Sequence, residues 1–277
     1  MIRTVPDMTQ HTTAISLRGA TKRFATKDGA GFTAIRDVDL EVAAGEFVSV
    51  VGPTGCGKST TLSLVSGLEP ATRGTVTVHG SPVTAIPEGV GYMFQADAIL
   101  PWKNVLDNVA LGLRFHDMPK KEAHAKARDW ITRVGLAGFE DRYPHQLSGG
   151  MRKRVAMAQT LITEPSLLLL DEPFGALDVQ TRELMQNELL DLWSGTGAAV
   201  VFVTHDLTEA ISLADRVVVM TAGPATVKDV VPIDLPRPRD VEEIRLTPEF
   251  VDIYKRVWDS LREEVEITRA RGASRVA

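Results

Sequence analysis

The sequence predicts an α/β fold: a mostly parallel sheet covered by helices, preceded by an antiparallel β subdomain and interrupted by an inserted α-helical subdomain. Three observations predict it. A glycine-rich loop, Gly52-Pro53-Thr54-Gly55-Cys56-Gly57-Lys58-Ser59-Thr60, lies between the apolar run Phe47-Val48-Ser49-Val50-Val51 and a helix-like stretch over 61–68. That is the strand, loop, helix order that the pattern G-x-x-x-x-G-K-[ST] requires. A leucine run over 167–170 ends in Asp171-Glu172, as a strand buried on both faces does when two acids emerge at its carboxyl edge. Strand-like and helix-like segments then alternate as far as residue 220, the rhythm of a parallel sheet.

The elements follow in order. Residues 1–13 read as a polar, mobile arm. Residues 14–51 are strand-rich: Ile15-Ser16-Leu17 first, then 32–42, where Asp37, Asp39 and Glu41 fall on alternate positions. The turn Ala43-Ala44-Gly45-Glu46 leads into the strand before the glycine loop. Residues 74–79 alternate Val and Thr as a strand does, and 89–94 form a short apolar strand ending at Gln95. Beyond Gln95, helical spacing covers 101–113 and 119–134, with Pro119 suited to a first turn. Ser148 is placed to cap a third helix over 148–163, so 96–163 reads as a helical insertion. Strands are then expected over 167–170, 199–204 and 216–220, with helices over 179–193 and 207–213. A proline-marked linker, Asp234-Leu235-Pro236-Arg237-Pro238-Arg239-Asp240, precedes a terminal helix. There Phe250, Tyr254, Val257, Trp258, Leu261 and Val265 share one side, a stripe expected to pack on the body. Residues 269–277 read as frayed.

Composition narrows the function. The 277 residues are 44% hydrophobic and 24% charged, as in ordinary soluble domains. A net charge of −5 argues against a general nucleic-acid binder. Cys56, the one cysteine, excludes an internal disulfide and reads as a small residue that fits the loop. No apolar stretch approaches the ~18 residues of a membrane span, and the first residues lack an apolar signal core. The chain is therefore expected to stay in the cytoplasm, with any membrane part supplied by another chain.

The glycine loop carries the chemistry. Its backbone can wrap a polyphosphate with successive N–H groups turned inward, backed by the positive end of the next helix. Lys58 would reach the β- and γ-phosphates and Ser59 would offer its hydroxyl to Mg²⁺. Asp171 is placed to hold Mg²⁺ through water, and Glu172 to polarise an attacking water. His205, in Thr204-His205-Asp206, follows the next apolar strand and shares the same sheet edge. The other histidines have no comparable setting, and none pairs with Cys56 or another His in a metal-ligand spacing. Leu147-Ser148-Gly149-Gly150-Met151 opens the third helix of the insertion as a second anion-ready N-terminus. A simple kinase or GTPase needs only one such device.

This combination resembles an ABC-transporter ATPase subunit, built on a P-loop NTPase (RecA-like) core. In family order stand the Walker A loop at 52–60, the Q-loop glutamine Gln95, an LSGG-type signature at 147–151 and Walker B at 167–172. The D-loop Gly175-Ala176-Leu177-Asp178 and the switch histidine His205 follow. Phe24 matches the aromatic that stacks on adenine, where tyrosine is commoner, and Met151 replaces a frequent glutamine. The resemblance covers 14–235. The segments QADAILPW from Gln95, NVLDNVALG from Asn104, DEPFGALD from Asp171 and LPRPRD from Leu235 are similar to the nitrate/sulfonate/taurine importer subfamily.

The resemblance implies an ATPase that binds ATP and Mg²⁺ between two copies of the chain. Gly52, Pro53, Thr54, Gly55, Cys56, Gly57, Lys58, Ser59 and Thr60 would hold phosphate, and Ser59, Gln95 and Asp171 the metal. Glu172 would be the base, with His205, Lys58 and Gln95 beside it. Ser148, Gly149, Gly150 and Asp178 would reach across from the partner copy. It further implies a peripheral subunit at the cytoplasmic membrane face, docked on integral-membrane permease subunits through the region after Gln95, where Leu100, Pro101 and Trp102 are expected to be exposed. A separate substrate-binding protein would act indirectly, and the cargo would be a small oxyanion such as an aliphatic sulfonate, taurine or nitrate. The alternatives are an exporter or lipid-handling subunit and a soluble non-transport ATPase of the same family. The single cassette, without heptads or zinc-type cysteines, weighs against the soluble one.

Overall fold

The computed structural model describes residues 12–25 and 31–273. The arm expected over 1–13 lies outside these residues, apart from Thr12 and Thr13, and Thr13 already opens the first strand. Four strands, β1 (Thr13–Phe24), β2 (Phe32–Ala43), β4 (Arg73–Val78) and β5 (Ser81–Pro82), form an antiparallel sheet in the order β2-β1-β4-β5. Register shifts around 17–23 explain why only the start of β1 shows in the sequence, for they break its alternation.

The second sheet has six strands: β3 (Phe47–Val51), β6 (Val90–Met93), β7 (Leu167–Asp171), β8 (Ala199–Val203), β9 (Arg216–Met220) and β10 (Val227–Pro232). Their order is β10-β9-β3-β8-β7-β6, and every pair but β9–β10 is parallel. β3 and β8 are buried at every position, which is why they read as unbroken apolar runs. β10 escapes sequence reading because it carries Lys228 and Asp229 and ends in Pro232, tolerable only on an edge strand.

The first helix, α1 (Lys58–Val65), leaves the glycine loop directly. The insertion holds α2 (Val105–Val109), α3 (Leu111–Phe115), α4 (Lys120–Arg133) and α5 (Gly149–Leu161). The helix expected over 101–113 is thus corrected: it starts at Val105 and breaks at Ala110. The cause is Asn108, whose fully buried amide accepts from Leu100 N at 2.7 Å and donates to the carbonyls of Leu100, Lys103 and Asn104 at 2.9–3.1 Å. That clamp holds 100–104 as a turn and presents Pro101 and Trp102 to solvent. Leu100 is only half-exposed.

Helices α6 (Val179–Trp193) and α7 (Leu207–Leu213) pack on the parallel sheet, followed by α8 (Val241–Ile244) and α9 (Pro248–Ala273). An aromatic cluster joins sheet to helices: Phe47 meets Trp193 edge-on at 5.3 Å and Phe202 at 6.0 Å. The proline-marked segment 234–240 lies packed on this cluster. Arg237 stands 4.7 Å above the Trp193 ring and pairs with Asp215 at 2.8 Å. Along α9, Phe250, Ile253, Val257 and Leu261 are buried, whereas Tyr254 and Trp258 are about 40% exposed. The stripe therefore splits, and the helix continues to Ala273 beyond the fraying expected from 269.

Arg239 is buried without a carboxylate at hydrogen-bond distance. Its guanidinium donates to the carbonyls of Ile211, Ser212 and Ala214 at the end of α7, and to those of Ile233, Leu235 and Pro236, at 2.7–3.4 Å. Burial, with Arg237 adding to it, pulls its pKa down to about 10. Five donors in a fixed fork suit this task, which no lysine could perform. Arg239→Met is expected to lower unfolding free energy by about 3 kcal/mol through the orphaned carbonyls, with no rescue by Arg239→Lys; urea denaturation measures both.

Candidate functional site

The carboxyl ends of β3, β7 and β8 meet at one edge of the parallel sheet. The glycine loop turns there because its residues lack or hide side chains. Gly55 and Gly57 have φ of 74° and 125°, conformations that side chains resist. A Cβ on Gly57 would stand 2.5 Å from Ile35 Cγ2. Cys56 turns its thiol into the core, 2.9 Å from where a Cβ on Gly52 would be. Burial pushes that thiol pKa up against the pull of Lys58. Cys56 thus offers a ligand its backbone and not its sulfur.

Beyond the loop lies a cavity of about 500 Å³ lined by Phe24, Phe32, Ala34, Thr54, Gly55, Gly57, Lys58, Ser59, Thr60, Gln95, Glu172 and His205. Residues more than a hundred positions apart therefore face one space. Gly52, Pro53 and Cys56 do not line it; Gly52 and Pro53 border a second cavity, of about 480 Å³, between the loop and α9. Phe32 completes an aromatic wall with Phe24 and escapes sequence reading. Its only signal is an aromatic opening the alternating strand β2.

The polar groups are tied together. Lys58, 5% exposed, spends two donors on the carbonyls of Gly52 and Pro53 at 2.9 and 3.2 Å, leaving a third for a phosphate oxygen. Ser59 Oγ donates to Asp171 Oδ1 at 2.9 Å. Glu172 Oε2 accepts from Gln95 Nε2 at 3.3 Å and faces His205 Nδ1 at 3.1 Å. Glu172 has φ 43°, uncommon for a residue with a side chain, and is held by its N–H bond to Val203 O at 2.8 Å. Burial raises the pKa of Asp171, and Glu172 adds to it, while Ser59, Lys58 and Tyr92 oppose. Burial likewise raises the Tyr92 hydroxyl pKa, with Asp171 adding to it.

A divalent cation fits beside Ser59 and Asp171. The carboxylate is partly desolvated, and no direct lysine or arginine ion pair neutralises it among the described residues. Among these residues no cluster of three or more His, Cys, Asp or Glu could hold a metal. Two protein oxygens supplemented by phosphate and water are the coordination that Mg²⁺ accepts.

Two supports were invisible in the sequence. Glu209, buried, accepts from Thr204 Oγ1 at 2.6 Å and from Gln186 Nε2 at 3.0 Å, fixing the strand end that carries His205. Lys153, 3% exposed on α5, donates to Gln95 O at 2.9 Å and pairs with Asp97 at 3.0 Å. The helix opened by Ser148 is thereby tied to Gln95. Ser148 caps it, accepting from Met151 N at 3.2 Å, and Asp178 caps α6, accepting from Thr181 N at 3.0 Å. That bond lowers the Asp178 pKa. Ser148, Gly149, Gly150 and Asp178 do not line the Lys58 cavity; Ser148, Gly149 and Asp178 face solvent.

Known proteins share this arrangement. The ABC transporter family profile matches residues 35–175. An uncharacterized ABC transporter ATP-binding protein of Methanocaldococcus jannaschii is 47% identical over 232 residues, 84% of this chain and 85% of that one. The taurine import ATP-binding protein TauB of Burkholderia pseudomallei is 42% identical over 247 residues, 88% of this chain and 95% of that one. The dimeric structure of an ATP-binding cassette in a post-hydrolysis state, bound to ADP and Pi, superposes with a TM-score of 0.71 at 30% identity, covering 80% of this chain and all of that one. With a P-loop, two acids and a histidine gathered on one sheet edge, the chain belongs to the ABC transporter family and is one of its ATP-binding ATPase subunits.

Proposed function

We propose that this chain is the ATP-hydrolysing subunit of an importer for a small oxyanion such as an aliphatic sulfonate, taurine or nitrate, acting as a pair of identical copies beneath a separate permease on the cytoplasmic face. The observation that carries the pairing is the separation of the two phosphate-binding devices. The Lys58 cavity is open and lacks Ser148, while Ser148 and Gly149 are exposed elsewhere. A second copy supplies the missing side, a reading supported by the likeness to a cassette that is dimeric. The cargo class follows the segments around Gln95, Asn104 and Leu235 and the likeness to a taurine import protein.

Each group then has a task. Phe24 and Phe32 wall the base. Loop N–H groups and Lys58 neutralise phosphate charge, and Ser59, Asp171 and Gln95 would hold Mg²⁺, which would supply further charge neutralisation to the phosphates. Glu172 orients and deprotonates the attacking water, and His205, bonded to it, steadies the charge that develops as the γ-phosphoryl leaves. Ser148, Gly149, Gly150 and Asp178 act on the partner's nucleotide. Trp102 and Phe115, 71% and 77% exposed, flank the Q-loop region with Phe94 and offer an apolar seat to a permease helix. No helix among the described residues is long and apolar enough to cross a membrane.

Uptake assays on the assembled transporter, comparing aliphatic sulfonates, taurine and nitrate, test the cargo; transport of none of them refutes this part. Glu172→Gln is expected to lower kcat about 10²–10⁴-fold while retaining ATP and accumulating an ATP-bound dimer, read by ATPase assay and light scattering. Trp102→Ala combined with Phe115→Ser is expected to abolish permease association while the isolated subunit hydrolyses ATP at the wild-type rate. For Asp171, a raised carboxyl pKa means the folded chain holds this proton more tightly than the unfolded chain. The stabilisation is complete below about pH 4 and is lost as pH rises through the folded pKa. Asp171→Asn is therefore expected to raise the nucleotide-free Tm near neutral pH, to leave it unchanged below about pH 4, and to remove Mg²⁺-dependent stabilisation by ATP.

A further inference from the structure

The connection between β9 and β10, residues 221–226, closes on itself and lies against the phosphate loop. Thr221 N–H donates to Thr226 O and Thr226 N–H to Thr221 Oγ1, both at 3.0 Å. A Cβ built on Gly223 would stand 3.9 Å from the carbonyl oxygens of Gly55 and of Cys56. Just before the connection, Met220 O would lie 3.2 Å from a Cβ on Gly52. On its other side Ala225 N–H donates to Ala34 O at 3.0 Å, and that same oxygen would lie 2.9 Å from a Cβ on Gly57. The connection and its neighbours thus wall the loop from Gly52 to Gly57.

The connection is held from behind by α9. Glu264, 6% exposed, accepts from Ala222 N at 2.8 Å on one oxygen and from Lys228 Nζ at 2.7 Å on the other. Arg271, two turns further on, donates to Gly223 O. Burial opposes ionisation of Glu264, and the bonds from Lys228 and Ala222 outweigh it, so the carboxyl pKa is lowered. Docking of α9 has its own source in buried Phe250, Ile253, Val257 and Leu261. The bond to Ala222 N–H is additional to that packing and is directed at the connection.

We propose that Glu264 is a positioning residue for nucleotide binding: through Ala222 N–H it fixes the 221–226 connection against the phosphate loop, and α9 thereby sets the loop's shape. It acts through the connection and not by touching nucleotide. The dependence belongs to the single chain, whatever the cargo and however the copies pair.

Titration of the purified full-length chain with Mg-ATP tests it, alongside kcat at saturating ATP. Glu264→Ala is expected to weaken Mg-ATP binding about tenfold while kcat stays within about twofold. Glu264→Gln keeps an acceptor for Ala222 N–H and is expected to restore binding to within about twofold of wild type. Val257→Ala, on the buried face of the same helix, is expected to lower Tm comparably and leave affinity unchanged. Unchanged affinity in folded Glu264→Ala, or equal weakening by Val257→Ala, overturns the proposal. Should Glu264→Ala fail to fold, Lys228→Met is expected to weaken binding about threefold, and wild-type affinity there overturns it.

Discussion

The structure depends on a stretch of backbone that has no room for side chains. At Gly57 a methyl group would collide with Ile35, and at Gly52 with the Cys56 sulfur. These are contacts of tightly packed solid, not of a loose loop. The loop keeps its curve because β2, the end of β9 and the buried thiol enclose it. An enclosed backbone of this kind is the condition for preorganised electrostatics at a polyanion site.

Around that backbone the charges form a graded set. Lys58 spends two of its three donors on carbonyls, and Asp171 is partly desolvated. Glu172 is pinned by two neighbours and by its own unusual backbone angle. Each group is incomplete in the way a metal-bound triphosphate would complete it. If the site takes the nucleotide proposed for it, these are the groups at which binding and stability would trade against each other.

The sequence disclosed the central strands because burial on both faces leaves no alternative to continuous apolar residues, as in β3, β7 and β8. It disclosed the loop, Asp171, Glu172 and His205 because ligand chemistry at a strand end needs particular residue types in sequence order. It did not disclose what depends on contacts between distant segments. Asn108 reads as a mid-helix polar residue, yet its buried amide stops the helix from starting earlier. Glu209 and Lys153 fall inside expected helices with no local signal of burial, yet they are buried supports of His205 and Gln95. Tyr254 and Trp258 fit the apolar stripe of α9, but their side faces the second cavity and not the core. Periodicity tells which side of a helix is apolar; it does not tell where the covering surface ends.

One small feature bears on how such a molecule can move. Among the described residues the two sheets meet at the bridge of Ile35 to Ala225, flanked by backbone bonds on both sides. The sheet bearing Phe24 and Phe32 is thereby tied to the one bearing the phosphate loop, so two walls of the Lys58 cavity are set by one backbone connection. Any displacement of the helical insertion against this unit would pass through Gln95, where the insertion begins. Lys153 ties that insertion to the Gln95 carbonyl, so the glutamine would move with it.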